Sequence, residues 1–316
     1  MFFFTEDLLN SAKLRTLAPI SQTTFQDADL ILLANEELQL KLVSDIQSIR
    51  EDFFLTSALI NLQAGVDRYV IPNRAIGNAL KAVFYVDTQG NVSSPINRID
   101  VDKSYLFAGT NSIPSAFYFE GDEIVLAPKP STSAGQIKVS FMQRPNQLVL
   151  TATCAKITGI SSASGTTTFT VDTDLTASLS VGVNVDFLKA QSPFMLWANE
   201  VPITAITSTT IAVTQTNVND QAGNVRPTIG DYICPAKQCN IPQVPQEFHP
   251  MLAQMVALRL MESMGDMNKY QVGAATLAAA RREAIKLIKN RVESSPDKVD
   301  SRGGILGRTG NRYGLR

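Results

Sequence analysis

Ile157-Thr158-Gly159-Ile160-Ser161-Ser162 followed by Thr166-Thr167-Thr168-Phe169-Thr170-Val171 is the stretch that decides how this chain is divided. Threonine and other β-branched residues fit pleated, half-buried backbone, so the two runs read as a hairpin. They are echoed by Ile203-Thr204-Ala205-Ile206-Thr207-Ser208 and Thr209-Thr210-Ile211-Ala212-Val213, and each half leads to a glycine turn, Val181-Gly182 or Ile229-Gly230-Asp231. Residues 151–235 hold sixteen threonines. The echo therefore has two readings, a duplicated hairpin or a coincidence of Thr-rich composition. Either way the stretch predicts a small inserted β-barrel or sandwich.

Upstream of it lies a second, differently patterned β region. Ala58-Leu59-Ile60-Asn61-Leu62 and Asp67-Arg68-Tyr69-Val70-Ile71-Pro72 predict a hairpin across Ala64-Gly65. Leu80 to Val86 predicts a strand that turns at Asp87-Thr88-Gln89-Gly90-Asn91 and returns from Val92 to Ile99. Phe117-Tyr118-Phe119, Glu123 to Leu126 and Gln136 to Phe141 add further short strands. Residues 54–148 thus read as a sheet-rich unit.

Helices flank these β regions. Thr24 and Asp27 form a capping-box variant before Asp29-Leu30-Ile31-Leu32-Leu33-Ala34-Asn35-Glu36-Glu37-Leu38, and an apolar stripe continues to Ile49. This predicts one long helix over 27–53, bent near Val43-Ser44. After Pro242 and Pro245, a helix is expected from about 246 to 264, closed by Gly265-Asp266. A second runs from about Lys269 to Val292, and the short link implies an antiparallel hairpin. Beyond Ser294-Ser295-Pro296, five glycines among arginines give a segment that cannot build its own core.

The fold class expected is α+β: a core of N- and C-terminal helices, a short-stranded sheet unit, an inserted all-β barrel-like domain and an extended C-terminal tail. The boundaries expected are 1–150 for the first helix and sheet unit and 151–240 for the Thr-rich β domain. The helix pair takes 241–293, and the basic tail takes 294–316.

Composition narrows the function. With 44% hydrophobic and 18% charged residues, the 316-residue chain has ample material for a core and is not disordered as a whole. No apolar run is long enough to cross a bilayer, so no membrane anchor is expected. Met1-Phe2-Phe3-Phe4 meets Glu6 and Asp7 at once and does not read as a secretory signal. Cys154, Cys234 and Cys239 show no disulfide-framework spacing, so buried or idle thiols in a reducing cytoplasm are expected.

The sequence carries no recognisable catalytic or cofactor signature. The chain has a single histidine, His249, which beside Pro250 reads as a helix-cap or surface residue rather than a ligand or base. Neither phosphate-binding glycine motif occurs. Glu36-Glu37 and Glu51-Asp52 lie on a predicted helix, where solvated charge is the ordinary explanation. No catalytic, cofactor or metal site is expected, and the chain reads as a non-enzyme.

Charge is unevenly placed. Residues 281–316 hold ten basic and four acidic residues, a net +6, which leaves −7 on residues 1–280. A basic terminus on an acidic body suits docking on a negative partner.

The order of these segments resembles the head–tail adaptor (connector) proteins of tailed bacteriophages, the short-tailed type especially. The resemblance is carried by Asp29 to Leu38, by Asp67 to Pro72, by Ile113-Pro114-Ser115-Ala116-Phe117-Tyr118 with Gly121 to Pro128, and by Val244 to Leu252. It covers about 25–148 and 242–293, with 151–235 as a departure. It implies a structural virion protein at the head–tail junction, assembled in the host cytoplasm. It implies a homo-oligomeric ring, of about twelve copies, between portal and tail with an axial channel for DNA. The implied partners are the portal protein, tail or nozzle proteins, neighbouring copies, and DNA passing without sequence-specific contact.

Within that frame, Arg302, Ile305, Leu306, Arg308, Arg312, Tyr313, Leu315 and Arg316 are the expected portal-docking residues, offering guanidinium donors and small apolar anchors. Arg281, Arg282 and Lys286 are expected to meet Glu36 and Glu37 of the next copy. Two other classes compete. A carbohydrate- or host-binding module would use Phe187, Phe194 and Trp197 as stacking aromatics, although filling a barrel core explains them better. A nucleic-acid binder would use the basic terminus, but only Tyr313 interleaves aromatically there.

Overall fold

A computed structural model describes residues 3–16, 25–107, 109–219 and 224–288. The fold is mixed α+β, with helices from both ends of the chain, short-stranded sheets and a closed barrel.

The helical core is built around the most hydrophobic helix. α1 (Thr5–Thr16), α2 (Asp27–Glu37) and α3 (Val43–Ile49) come from the N-terminal region, and α4 (His249–Ser263) and α5 (Met267–Ile288) from the C-terminal region. Eleven of the fifteen residues of α4 are buried, so it is covered on nearly every side. α1, α2 and α5 pack around it. Leu8, Leu9, Leu30, Leu38, Leu42 and Ile46 meet Leu252, Val256 and Leu260 in one core. α1 was not anticipated. Its Leu8-Leu9-Ala12 spacing is helical, and Thr5 ties its start to the Asn240 carbonyl.

The expected helix over 27–53 is one continuous run from Asp27 to Ile49, with a π-helical turn at Leu38–Leu42. The irregularity thus precedes Val43. The run ends early because Arg50 is extended (φ −137°, ψ 94°) and turns the chain toward the sheets.

The sheet-rich unit contains β1 (Leu55–Asn61), β2 (Arg68–Val70), β3 (Ala75–Val86), β4 (Val92–Pro95), β5 (Asn97–Arg98) and β6 (Asn111–Ser112). It continues with β7 (Ala116–Glu120), β8 (Glu123–Ala127), β9 (Lys129–Pro130) and β10 (Gln136–Gln143). One four-stranded sheet has the order β1-β10-β3-β4 and the other β2-β8-β7-β5. The β3–β4 return and the β7–β8 hairpin form as the turn residues indicate. The hairpin expected between β1 and β2 does not. β1 pairs with β10 over seven positions, and β2 joins β8 in the other sheet. A seven-pair register outweighs the local turn at Gly65, whose positive φ lets the chain swing across.

β11 (Gln147–Leu148) leads into the barrel strands β12 (Ala155–Ala163), β13 (Thr166–Val171), β14 (Asn184–Leu188), β15 (Leu196–Ile206), β16 (Thr210–Thr214) and β17 (Tyr232–Pro235). β18 (Gln238–Cys239) then returns to pair in parallel with β11. The barrel closes in the order β12-β13-β16-β15-β14-β17. The two echoed Thr-rich runs lie side by side in it, since β13 pairs with both β12 and β16. Phe169 and Phe187 fill its interior with ring centroids 4.9 Å apart.

Two sequence expectations are corrected by burial. His249 is not a surface residue. It is fully buried, accepting from the Phe3 N–H at Nδ1 (3.0 Å) and bonding the Val244 carbonyl through Nε2 (3.3 Å). Nor are all three thiols idle. Cys154, just before β12, and Cys234 of β17 form a disulfide, with Cα atoms 4.5 Å apart, while Cys239 is free and buried.

Candidate interaction surfaces and the core–barrel junction

The residues singled out for contacts between copies sit on the helical core. Glu37 is buried at 3% exposure. Its carboxylate accepts from Arg259 at 2.5 Å and from Lys41 one turn on. A carboxylate out of water needs charged donors, and this one has them within its own chain. Arg259 also reaches Glu262 at 3.0 Å. Arg281 is taken by Asp45 of α3. Burial raises the Asp45 pKa, and the Arg281 and Lys41 charges oppose that rise. Lys286 pairs with Glu283 along its own helix at 2.8 Å.

Glu36 and Arg282 remain exposed, and neither has an ion-pair partner among the described residues. The other acids named with them are also engaged. Glu51 meets Lys81, and Asp52 meets Arg50. The expected portal-docking residues, Arg302 to Arg316, lie outside the described residues.

Between α2–α3 and α5, over α4, runs a groove of about 400 Å3. Met251, Met255 and Leu258 form its floor, with Leu40 and Leu277 on its walls. The π turn at Leu38–Leu42 is part of the wall and leaves Leu40 76% exposed. Such turns recur at functional sites because they break helical register locally.

A second feature went unseen in the sequence. Arg74, between β2 and β3, is 5% exposed and donates to Asp186 of β14 at 2.6 Å and to Asn146 at 3.0 Å. Asp186 also accepts from the Asn146 side chain and from the backbone N–H groups of Lys237 and Glu200, at 2.7–2.8 Å. Gln243 holds the Asn146 N–H at 2.6 Å. Sheet unit, barrel and the approach to α4 thus meet at one satisfied, buried ion pair. Removing one partner from such a pair costs about 3–5 kcal/mol, because the other charge stays buried. Lone Arg and Asp residues distant in sequence give no spacing signal for this.

Of the three aromatics expected to fill the barrel core, only Phe187 does so wholly, since Phe194 belongs to the helical core and Trp197 is partly buried. Phe187 is in the barrel interior, and Phe194 is buried against His249. Trp197 donates to Asp231 at 2.8 Å and lies beneath Lys189. These three form no exposed stacking platform. Among the described residues, no cluster of three or more His, Cys, Asp or Glu could hold a metal, and no helix is long and apolar enough to cross a membrane.

The groove sets paired charges around a floor of nearly buried apolar side chains, a surface suited to contact with another molecule. The family comparison agrees: a model described as SU10 adaptor protein matches residues 6–181. The chain belongs to this family, a group of phage adaptors, and a structural role at the virion head–tail junction follows. The match takes in α1 and runs on through β13, so the first barrel hairpin lies inside it while the helix pair lies outside. The match thus extends past residue 151, where a departure is expected, as far as residue 181. No curated protein matches the chain.

Proposed function

We propose that copies of this protein form a ring, about twelve-fold, between portal and tail, and that the ring leaves an axial channel for DNA. The observation that carries this reading is the family match over residues 6–181. The charge distribution supports it further. Residues 1–280 carry −7, and an acidic channel wall lets DNA slide without phosphate-binding cations. The basic segment 294–316 docks on the portal through Arg302, Ile305, Leu306, Arg308, Arg312, Tyr313, Leu315 and Arg316. Between copies, Glu36 of one faces Arg282 and Lys286 of the next. Glu37 and Arg281 contribute indirectly, by fixing the helices that carry those groups.

The test is truncation after Val292. The shortened protein should fold as a helical monomer yet fail to join heads bearing the portal. If truncated chains still cap those heads and support tail attachment, the docking role lies elsewhere in the chain.

A further inference from the structure

We infer that the outward face of α5 in one copy seats in the groove between α2–α3 and α5 of the next. This specifies the contact within the proposed ring and rests on that reading.

The groove selects a neutral occupant. Its rim charges are already paired within the protomer: Glu37 with Arg259 and Lys41, Arg259 with Glu262, and Asp45 with Arg281. A charged side chain entering there would lose water and gain no free partner. Met251, Met255 and Leu258, each nearly buried, floor the groove beneath that rim, and Leu40 and Leu277 on its walls supply the apolar surface that a neutral face can cover.

α5 carries a matching face. Only Gly273 and Ala284 of its twenty-two residues are buried. From Tyr270 through Ala280 it has no charged residue, although most of that stretch is exposed. Val272 is 70% and Leu287 62% exposed. An uncharged run on an exposed helix is what a covered surface looks like before its cover arrives. Ala275 and Ala279 beside Val272 let a second helix approach to within about 8–10 Å.

Placement fits propagation from copy to copy. Ala274, Leu277 and Arg281 recur at helical spacing on the groove side of α5. Val272, Thr276 and Ala279 fall about half a turn away, on the opposite side. One helix thus walls its own groove and presents an unlike face outward. Two unlike patches on opposite flanks give a head-to-tail contact, which closes when the rotation per copy divides the circle.

The test uses full-length protein loaded onto heads bearing the portal. A Leu40→Cys/Ala279→Cys chain treated with a short bismaleimide should give a ladder of covalent multimers, while each single variant gives dimers at most. Variant copies that load but produce no ladder would overturn the inference. The companion variant Ala275→Glu/Ala279→Glu keeps good helix formers at exposed positions. It should retain its circular dichroism and load at least about tenfold fewer copies per head. Wild-type loading by that folded variant overturns the inference even if the cysteine chain fails to fold. Wild-type protein that loads as single copies would instead remove the ring reading beneath it.

Discussion

α4 and α5 are consecutive helices joined by Met264–Asp266, yet they are built on opposite terms. α4 buries eleven of fifteen residues, and α5 buries two of twenty-two. The contrast separates the part of the chain that makes a protomer from the part left over for other molecules. α4 gathers α1, α2 and α5 around itself. α5 touches the body along one narrow line and extends toward the basic terminus. An isolated helix is marginal in water even when alanine-rich, so a poorly buried helix draws its rigidity from packing. In α5 that packing comes from α4 on one side and, in the assembly proposed above, from a neighbour on the other.

The sharpest way to break the comparison is to shorten one apolar side chain of each helix to alanine. Leu252→Ala in α4 should destabilise the monomer by about 2–5 kcal/mol, since the residue is wholly enclosed and its truncation leaves a cavity. Val272→Ala in α5 should change monomer stability by no more than about 0.5 kcal/mol. Denaturant titration of both variants measures the difference. Equal losses would mean that α5 is as much a part of the core as α4.

The start of α4 supplies a pH test. Burial pushes His249 down from its ordinary 6.5 to about 4, so the folded protein holds the ring neutral. The unfolded chain then binds more protons between those values, and stability rises with pH across them. The contribution is complete above about 6.5, is lost as pH falls toward 4, and does not change further below. A shift of this size is worth about 3 kcal/mol. His249→Gln keeps a donor and an acceptor without titrating, and it should flatten that part of the stability–pH profile. An unchanged profile would place the acid sensitivity in the carboxylates.

How far this contrast was legible beforehand depends on the kind of signal. The two helices announced themselves through Pro245, Pro250, Gly265 and their apolar periodicity, and the barrel through its threonine-rich runs. Both are local patterns that a short window contains. The π turn at Leu38–Leu42 was not legible, because Leu40 keeps the sequence pattern of a helical stripe while the backbone turns it outward. The burial of His249 was missed for a related reason. Its donor and acceptor partners, the Phe3 N–H and the Val244 carbonyl, are backbone groups that leave no trace in side-chain spacing. Glu37 and Arg281 read as surface charges, as glutamate and arginine usually are. Their partners Arg259 and Asp45 are 222 and 236 residues away, respectively, beyond any local pattern. The β1–β2 hairpin was misread because a turn signal at Gly65 is local, whereas the seven-pair register with β10 is not.

A smaller effect probes the line where α5 meets α4. Gly273 sits where an added Cβ would lie 2.7 Å from Leu258 Cδ2 and 3.2 Å from Gln254 Nε2. Gln254 also accepts from Arg15 of α1 at 2.6 Å, so it cannot swing aside without releasing that contact. Gly273→Val should therefore cost about 1–3 kcal/mol by overpacking, despite removing a helix-interior glycine. Hydrogen exchange should show the loss as faster opening of α5 with α4 still protected. If α4 opens equally fast, the two helices are one cooperative unit.

The smallest expected effect on the protomer is the one with most to say about assembly. Glu36 and Arg282 are exposed and have no ion-pair partner among the described residues, so reversing either should leave monomer stability where it is. Exposed pairs contribute roughly 0–1 kcal/mol each, and a ring repeats each contact at every interface. Charge complementarity of this kind acts mainly on partner choice and register. Glu36→Arg and Arg282→Glu should each slow loading onto portal-bearing heads, more at low salt than at high salt, because the repulsion they create is screened. The chain carrying both reversals should recover, since each interface then regains an opposite pair in exchanged order. Loading that falls further in the double reversal than in either single variant would show that the two residues never face each other, and that the apolar seat of α5 sets the register alone.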